Sequence, residues 1–293
     1  MRVTTTQMYD NLLAGVNKQL AIQAKGNEQI SSGTRFQRPA DAGLDYKTSL
    51  DLRHAQVGVT GSLDAAKTAE SRLGASQTML NSMQNIMVRA QSLAVQQGSA
   101  GLTAAERSSA ALEVGHLLTQ FANDVNQKWK GQSLFAGTAV DKQAFTIDSS
   151  GKYAYTGSSQ DRVVAISDTL QVTSNIRGDA PSFSAAFTAL QDFETALKAN
   201  DTAGVTAALG GLNTAGSGMI DLTSEVGGRL SALQVTRTSF EDMKFTLDKQ
   251  INEHEAVDVP AVVARLQQSS IALQASYSQI SQVKSLSLIN FLR

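Results

Sequence analysis

The sequence predicts a mainly α fold: a long coiled-coil helix bundle built from both halves of the chain, with a small inserted β-hairpin element and paired terminal helical arms. Three observations predict it. Apolar residues recur every seven positions along two long stretches. Only three prolines, Pro39, Pro181 and Pro260, punctuate 293 residues. One segment, from about Gly131 to Ala180, changes to the short alternating runs of strands. The division that follows is 1–40 with 256–293 for the arms, 41–130 with 181–255 for a helical rod domain, and 131–180 for the insertion.

In the first arm Leu12, Leu13, Val16, Leu20 and Ile30 stand at helical spacing, and Ser31-Ser32-Gly33 supplies the stop. The first rod carries Leu52, Val59, Ala66, Leu73, Leu80, Met87 and Ala94 in one register, with Ala55, Ala69, Met83 and Ala90 on the neighbouring row. Thr103 to Glu106 reads as a capping box, opening a helix whose apolar face is Ala111, Val114, Leu118, Phe121 and Val125. The runs AFTID, YAYTG, RVVAIS and LQVTSNI, separated by polar turns, predict two or more hairpins. As an outward insertion they are expected to tolerate a deletion such as 153–160.

A shorter amphipathic helix after Pro181 carries Phe183, Phe187, Leu190, Phe193 and Leu197. The second rod register is Val205, Leu212, Met219, Val226, Leu233, Phe240 and Leu247, supported by Leu209, Leu230 and Met243. Gly210, Gly211, Gly216 and Gly218 each cost about 1 kcal/mol in a helix interior, so a break is expected before about Leu222. In the second arm Val259, Val263, Leu266, Leu273, Tyr277 and Ile280 follow the coiled-coil period, with Ser270 as a polar interruption. Roughly 30 helical residues span about 45 Å, so the two arms are long enough to pair antiparallel. The end of the second arm is apolar on more than one side, through Val283, Leu286, Leu288, Ile289, Phe291 and Leu292. A two-helix hairpin covers only one face, so leftover apolar surface predicts assembly with other chains.

Composition narrows the function. Aromatic residues are 5% of the chain and hydrophobic residues 42%, so burial is expected to rely on Leu, Val, Ile, Met and Ala. The formal net charge of -1, with 25 basic and 26 acidic residues interspersed, offers no field to attract nucleic acid or an anionic membrane. Cysteine is absent, which excludes disulfides and thiolate chemistry. The start MRVTTTQMYDNLL turns polar at once, so any export is expected to proceed without a cleaved Sec-type signal. His54, His116 and His254 lie far apart and outside any ligand spacing. The glycine-rich stretches lack the Lys-Ser/Thr of a phosphate loop, and no GxSxG elbow is present. No catalytic, cofactor or metal site is predicted. Lys25, Glu28, Arg35, Arg38 and Asp41 allow two readings: a solvated helix end, or polar contacts between subunits with Arg35 and Arg38 as donors.

Four motifs, in order, then resemble one family. QISSGTRFQRPADAG (29–43), SLFAGT (133–138), EVGGRLSAL (225–233) and ALQASYSQISQVKSLSLINFL (272–292) are similar to segments of the flagellins and the related hook-filament junction proteins. The form of SLFAGT and the opening MRVTTTQMYDNLL favour the junction members. The resemblance implies a non-enzymatic axial protein of the bacterial flagellum, without cofactor. It would be exported by the flagellar type III apparatus and polymerise between a hook-associated partner and the filament. Its implied partners are copies of itself, the preceding hook-associated protein, flagellin and an export chaperone, with no nucleic acid and no stable membrane association. The implied location is outside the cell, at the hook-filament junction. The assembly interface is expected at Leu12, Leu13, Val16, Leu20, Ile30, Arg35, Arg38, Leu266, Leu273, Tyr277, Ile280, Leu286, Leu288, Phe291 and Leu292. Either Asp41 or Asp45 could fill the family's acidic position. Two alternatives stay open at this level: a short flagellin forming the filament itself, and an amphipathic membrane-acting protein of a type III system.

Overall fold

The structure, a computed structural model, describes the backbone of residues 5–99 and 101–291 and the side chains of 7–99 and 101–284. The elements in order are α1 (Thr5–Ser32), α2 (Pro39–Ala42), α3 (Leu44–Gln97), α4 (Ala104–Val125), β1 (Lys128–Trp129), β2 (Gln132–Ser133), β3 (Phe145–Ile147), β4 (Tyr153–Tyr155), β5 (Val163–Ala165), β6 (Gln171–Thr173), α5 (Pro181–Lys198), α6 (Thr202–Glu255) and α7 (Val259–Phe291). Helices dominate, as the sequence predicts. The chain divides into two compact units, residues 1–57 with 244–293 and residues 58–243.

The 58–243 unit is built on the long register. Along α3, Ala66, Leu73, Leu80, Met87 and Ala94 are buried together with Ala69, Met83 and Ala90. Opposite them in the same core stand Val205, Leu212, Met219, Val226 and Leu233 of α6. The expected interruption of α6 is absent: this helix runs 54 residues, straight through its glycines. The reason is what faces them. A Cβ at Gly211 would meet Ala189 of α5 at 3.3 Å, at Gly216 the Gln91 amide at 2.6 Å, and at Gly218 the Ser182 hydroxyl at 2.6 Å. The glycines let α5 and α3 approach, and the packing so gained outweighs their poor helix propensity. Met243, placed in this register by the sequence, is about half exposed.

α4 opens as expected: the Thr103 side chain accepts from the Glu106 amide while Glu106 accepts from the Thr103 amide. Beside this cap, Arg107 is buried and donates to the carbonyls of Gln97 at 3.3 Å and Ser99 at 2.8 Å and to Asn200 Oδ1 at 2.5 Å. It thereby caps the carbonyl of Gln97, the last residue of α3, and ties down the turn that follows.

The core rests mainly on aliphatic residues, as expected, but its few rings are concentrated. Phe121, Phe135, Phe145, Phe183, Phe187 and Phe193 are among the largest fully buried side chains. Phe187 of α5 lies 4.9 Å from Phe121 of α4, 4.8 Å from Phe145 of β3 and 4.3 Å from the stacked ring of Tyr153 of β4. A hairpin crossing a helix pair leaves gaps too wide for methyl groups, and rings fill them. The two predicted hairpins form, β3 with β4 and β5 with β6, both antiparallel. A third, β1 with β2, straddles the expected start of the insertion at residue 131. Its Lys130-Gly131 turn has φ of 50° and 79°, the left-handed pair of a tight hairpin. Arg72 of α3, itself buried, ties it down through the Ser133 carbonyl at 2.7 Å. Burial, with Arg162 nearby, lowers the Arg72 guanidinium to about 10. The packing argues against the expected tolerance of a 153–160 deletion, because that stretch carries Tyr153 and Tyr155, whose rings pack on Phe187 and Phe145.

In the other unit, α1 and α7 pair with each other. α1 ends where the sequence places the stop, with Gly33 at φ +73° and its amide on the Gln29 carbonyl at 2.9 Å. On the part of α3 in this unit, Leu52 of the main register is half-buried and Ala55 of the neighbouring row is exposed.

Candidate assembly face on the terminal arms

Three contacts fix how the arms pair. Thr34 bridges Ala256, a Cβ at Gly26 would lie 2.7 Å from the Leu266 side chain, and Ser269 donates to the Gln19 carbonyl at 3.2 Å. Residue numbers fall on one arm as they rise on the other, so the pair is antiparallel. The seam on α7 is Val262, Leu266, Ser269, Leu273, Ser276 and Ile280, each buried or half-buried. These positions alternate steps of four and three, the spacing of a coiled-coil stripe. On α1 the matching positions are Leu12, Val16, Gln19, Gln23 and Gly26.

The predicted interface residues therefore separate into groups. Leu12, Val16, Leu266, Leu273 and Ile280 join the intrachain seam. Leu13, Leu20, Ile30 and Tyr277 do not: they are exposed, as are Tyr9, Val259, Val263 and Ile271. Ile271 and Tyr277 are 68% and 54% exposed, a large apolar area for a solvent-facing helix surface. The side chains of Leu286, Leu288, Phe291 and Leu292 lie outside the described residues. Sequence reasoning missed Val262, Ser269 and Gly26. Counting apolar residues alone favours Val259, Val263 and Tyr277, whereas the four-three spacing from Leu266 and Leu273 picks out Val262, Ser269 and Ser276 once serine is allowed in the seam.

The charged cluster pairs within the chain. Arg35 reaches Asp45 at 3.3 Å, Arg38 reaches Glu28 at 3.0 Å and Lys25 reaches Asp41 at 3.1 Å. The Lys25 ammonium holds the Asp41 carboxyl below its usual range, and Glu28 raises the Arg38 guanidinium. All three pairs are open to solvent and add little to stability. Asp41 and Asp45, the two candidates for the family's acidic position, thus each have a partner.

Where α6 passes into α7, the loop after α1 is drawn in. The Arg35 amide donates to the Glu255 carbonyl at 2.7 Å and the Val257 amide to the Gly33 carbonyl at 3.1 Å. Phe36, buried, meets the edges of Tyr46 at 6.2 Å and His254 at 5.8 Å, and His254 Nε2 lies 2.9 Å from the Asp45 carbonyl. Asp258 caps α7 through the Ala261 amide at 3.0 Å. Among the described residues no cluster of His, Cys, Asp or Glu could hold a metal ion, and no helix is long and apolar enough to cross a membrane. What the arms offer is an apolar surface and a fixed register.

Comparison with known proteins adds what the chain is similar to. Residues 3–140 match the bacterial flagellin N-terminal helical region. Flagellar hook-associated protein 3 of Salmonella typhimurium is 23% identical over 100% of both chains, and that of Escherichia coli K12 25% identical over 98% of both. Among solved structures, FlgL of Bacillus cereus superposes with a TM-score of 0.62 at 20% identity, covering 69% of this chain and 99% of that one. The flagellar junction protein FlgL of Legionella pneumophila gives 0.60 at 15%, covering 69% and 98%. Residues 3–140 are thus similar to the flagellin N-terminal helical region, and the whole chain is similar, from end to end, to flagellar hook-associated protein 3.

Proposed function

We propose that this chain is a structural element of the bacterial flagellum that joins hook to filament, acting by assembly rather than catalysis. One observation carries the reading: the arms bury one stripe on each other and leave further apolar side chains, among them Leu13, Leu20, Ile271 and Tyr277, in solvent. Full-length similarity to hook-associated protein 3 supplies the setting. In it, residues 1–40 and 256–293 form the assembly domain, 41–130 and 181–255 the helical domain and 131–180 its β insertion. These exposed apolar residues dock on the arms of neighbouring copies, of the preceding hook-associated protein and of flagellin. Leu286, Leu288, Phe291 and Leu292 belong to the proposed interface on their sequence alone, while Arg35 and Arg38 exchange their intrachain carboxylates for those of a neighbour. Export proceeds through the flagellar type III apparatus with a chaperone, and the protein works outside the cell.

Antibody labelling of isolated flagella tests the location. One short band at the hook end is expected; label along the whole filament would make the chain a filament subunit instead. Ile271→Asp tests the mechanism. It should leave the arms paired but block incorporation, and normal incorporation would contradict docking through the exposed apolar residues of the arms.

A further inference from the structure

Glu255 is the last residue of α6, and it is 7% exposed. Its carboxylate receives Arg53 Nε at 2.8 Å and Nη2 at 2.5 Å, and also the Ser49 hydroxyl, all from α3. Its main-chain carbonyl takes the Arg35 amide at 2.7 Å. The next residue, Ala256, forms the bridge to Thr34, and Val257 donates back to Gly33. One residue therefore grips α3 with its side chain and the loop after α1 with its backbone, at the point where the chain leaves α6 for α7.

An ion pair with a half-exposed partner is a weak source of stability, so this arrangement calls for another role. A fork of two parallel N–H donors on one carboxylate fixes direction as well as distance. Only Ala256, Val257 and Asp258 separate α6 from α7, too short a connection to choose its own course. The groups that hold this connection choose it.

We propose that Glu255, paired with Arg53, is a positioning residue for assembly: it fixes the direction in which the arm pair leaves the adjoining ends of α3 and α6. This rests on the reading of the chain as a junction protein working through its arms. A subunit whose arms pointed variably would present Ile271 and Tyr277 to its neighbours in no single arrangement. The carboxylate is required, because glutamine would turn an amide donor toward the donors of Arg53 while keeping the shape.

Hydrogen exchange on the purified full-length chain reads the device directly at the Arg35 and Val257 amides. Glu255→Gln and Arg53→Gln should each speed exchange there about tenfold, with the helical melting transition unchanged. The double variant should exchange no faster than either single one, since partners in one interaction are not additive. In cells lacking their own hook-filament junction protein, wild type should restore motility and Glu255→Gln should do so poorly. Unchanged exchange in Glu255→Gln, or fully additive effects in the double variant, would overturn the pairing. Faster exchange with full motility would overturn the positioning role. Failure of wild type to restore motility would instead strike the junction reading, and is seen before any variant is compared.

Discussion

The glycines of α6 make two alanine substitutions that look alike in sequence behave oppositely. At Gly210 a Cβ would meet nothing within 4 Å, and the residue is exposed. Gly210→Ala should therefore gain the full propensity difference, about 1 kcal/mol. At Gly218 the Cβ would stand 2.6 Å from Ser182 Oγ and 2.9 Å from Ser182 Cβ, with the Ser182 Cα at 3.5 Å. The hydroxyl can rotate away, but Cβ moves only with the backbone of α5 at its first turn, where Phe183 is fully buried next door. Overpacking of this kind costs about 1 to 3 kcal/mol. Set against the same propensity gain, Gly218→Ala should range from neutral to about 2 kcal/mol destabilising. Urea unfolding followed by far-ultraviolet circular dichroism, with equal slopes required of both variants, measures the difference. If Gly218→Ala stabilises as much as Gly210→Ala, close helix approach is not why α6 keeps its glycines.

Leu273→Asp would bury an unpaired carboxylate in the arm seam at a cost of about 3 kcal/mol or more; the arms should become protease-sensitive while the 58–243 unit melts as before, and wild-type resistance would contradict the seam. Phe187→Ala removes a ring packed on three others and should cost about 3 to 5 kcal/mol, read as a lowered melting point of that unit, with a loss under about 1 kcal/mol counting against the ring cluster. The Arg53 fork holds the Glu255 carboxyl below its ordinary range. A lowered folded-state value means its contribution is complete above about pH 4.3 and is lost as pH falls through the folded value. Exchange at the Arg35 and Val257 amides, corrected for intrinsic rate, should accelerate in that acid window, and a flat profile there would count against the clamp.

The sequence reveals whatever rests on local periodicity or local chemistry. The α3 register, the Thr103–Glu106 cap, the stop at Gly33 and the two longer hairpins are all legible, because each is written in neighbouring residues. Continuity of α6 is not, since the partners that reward Gly211, Gly216 and Gly218 come from α5 and α3. The β1–β2 hairpin has two-residue strands, too short for alternation to register, and only its Lys130-Gly131 turn announces it. In the arms, apolarity identifies which residues matter but not which way they face. Tyr277 and Leu273 look equivalent in the sequence, yet one faces solvent and the other the partner arm. The ion pairs of Arg35 and Arg38 likewise depend on a loop whose course no spacing rule gives.

The notch at Gly26 has a consequence for how the arms find their alignment. A repeat of seven would let one helix slide along the other by a whole repeat with its apolar stripe still facing inward. Here such a slide would set Leu266 against the Gln19 side chain in one direction and past the end of α1, at Gly33, in the other, and would carry Ser269 off the Gln19 carbonyl. The missing side chain works as a ward that admits one key position. Inserting or deleting seven residues in a single arm, which preserves every pattern a sequence search would notice, should be read by the molecule as a misfit.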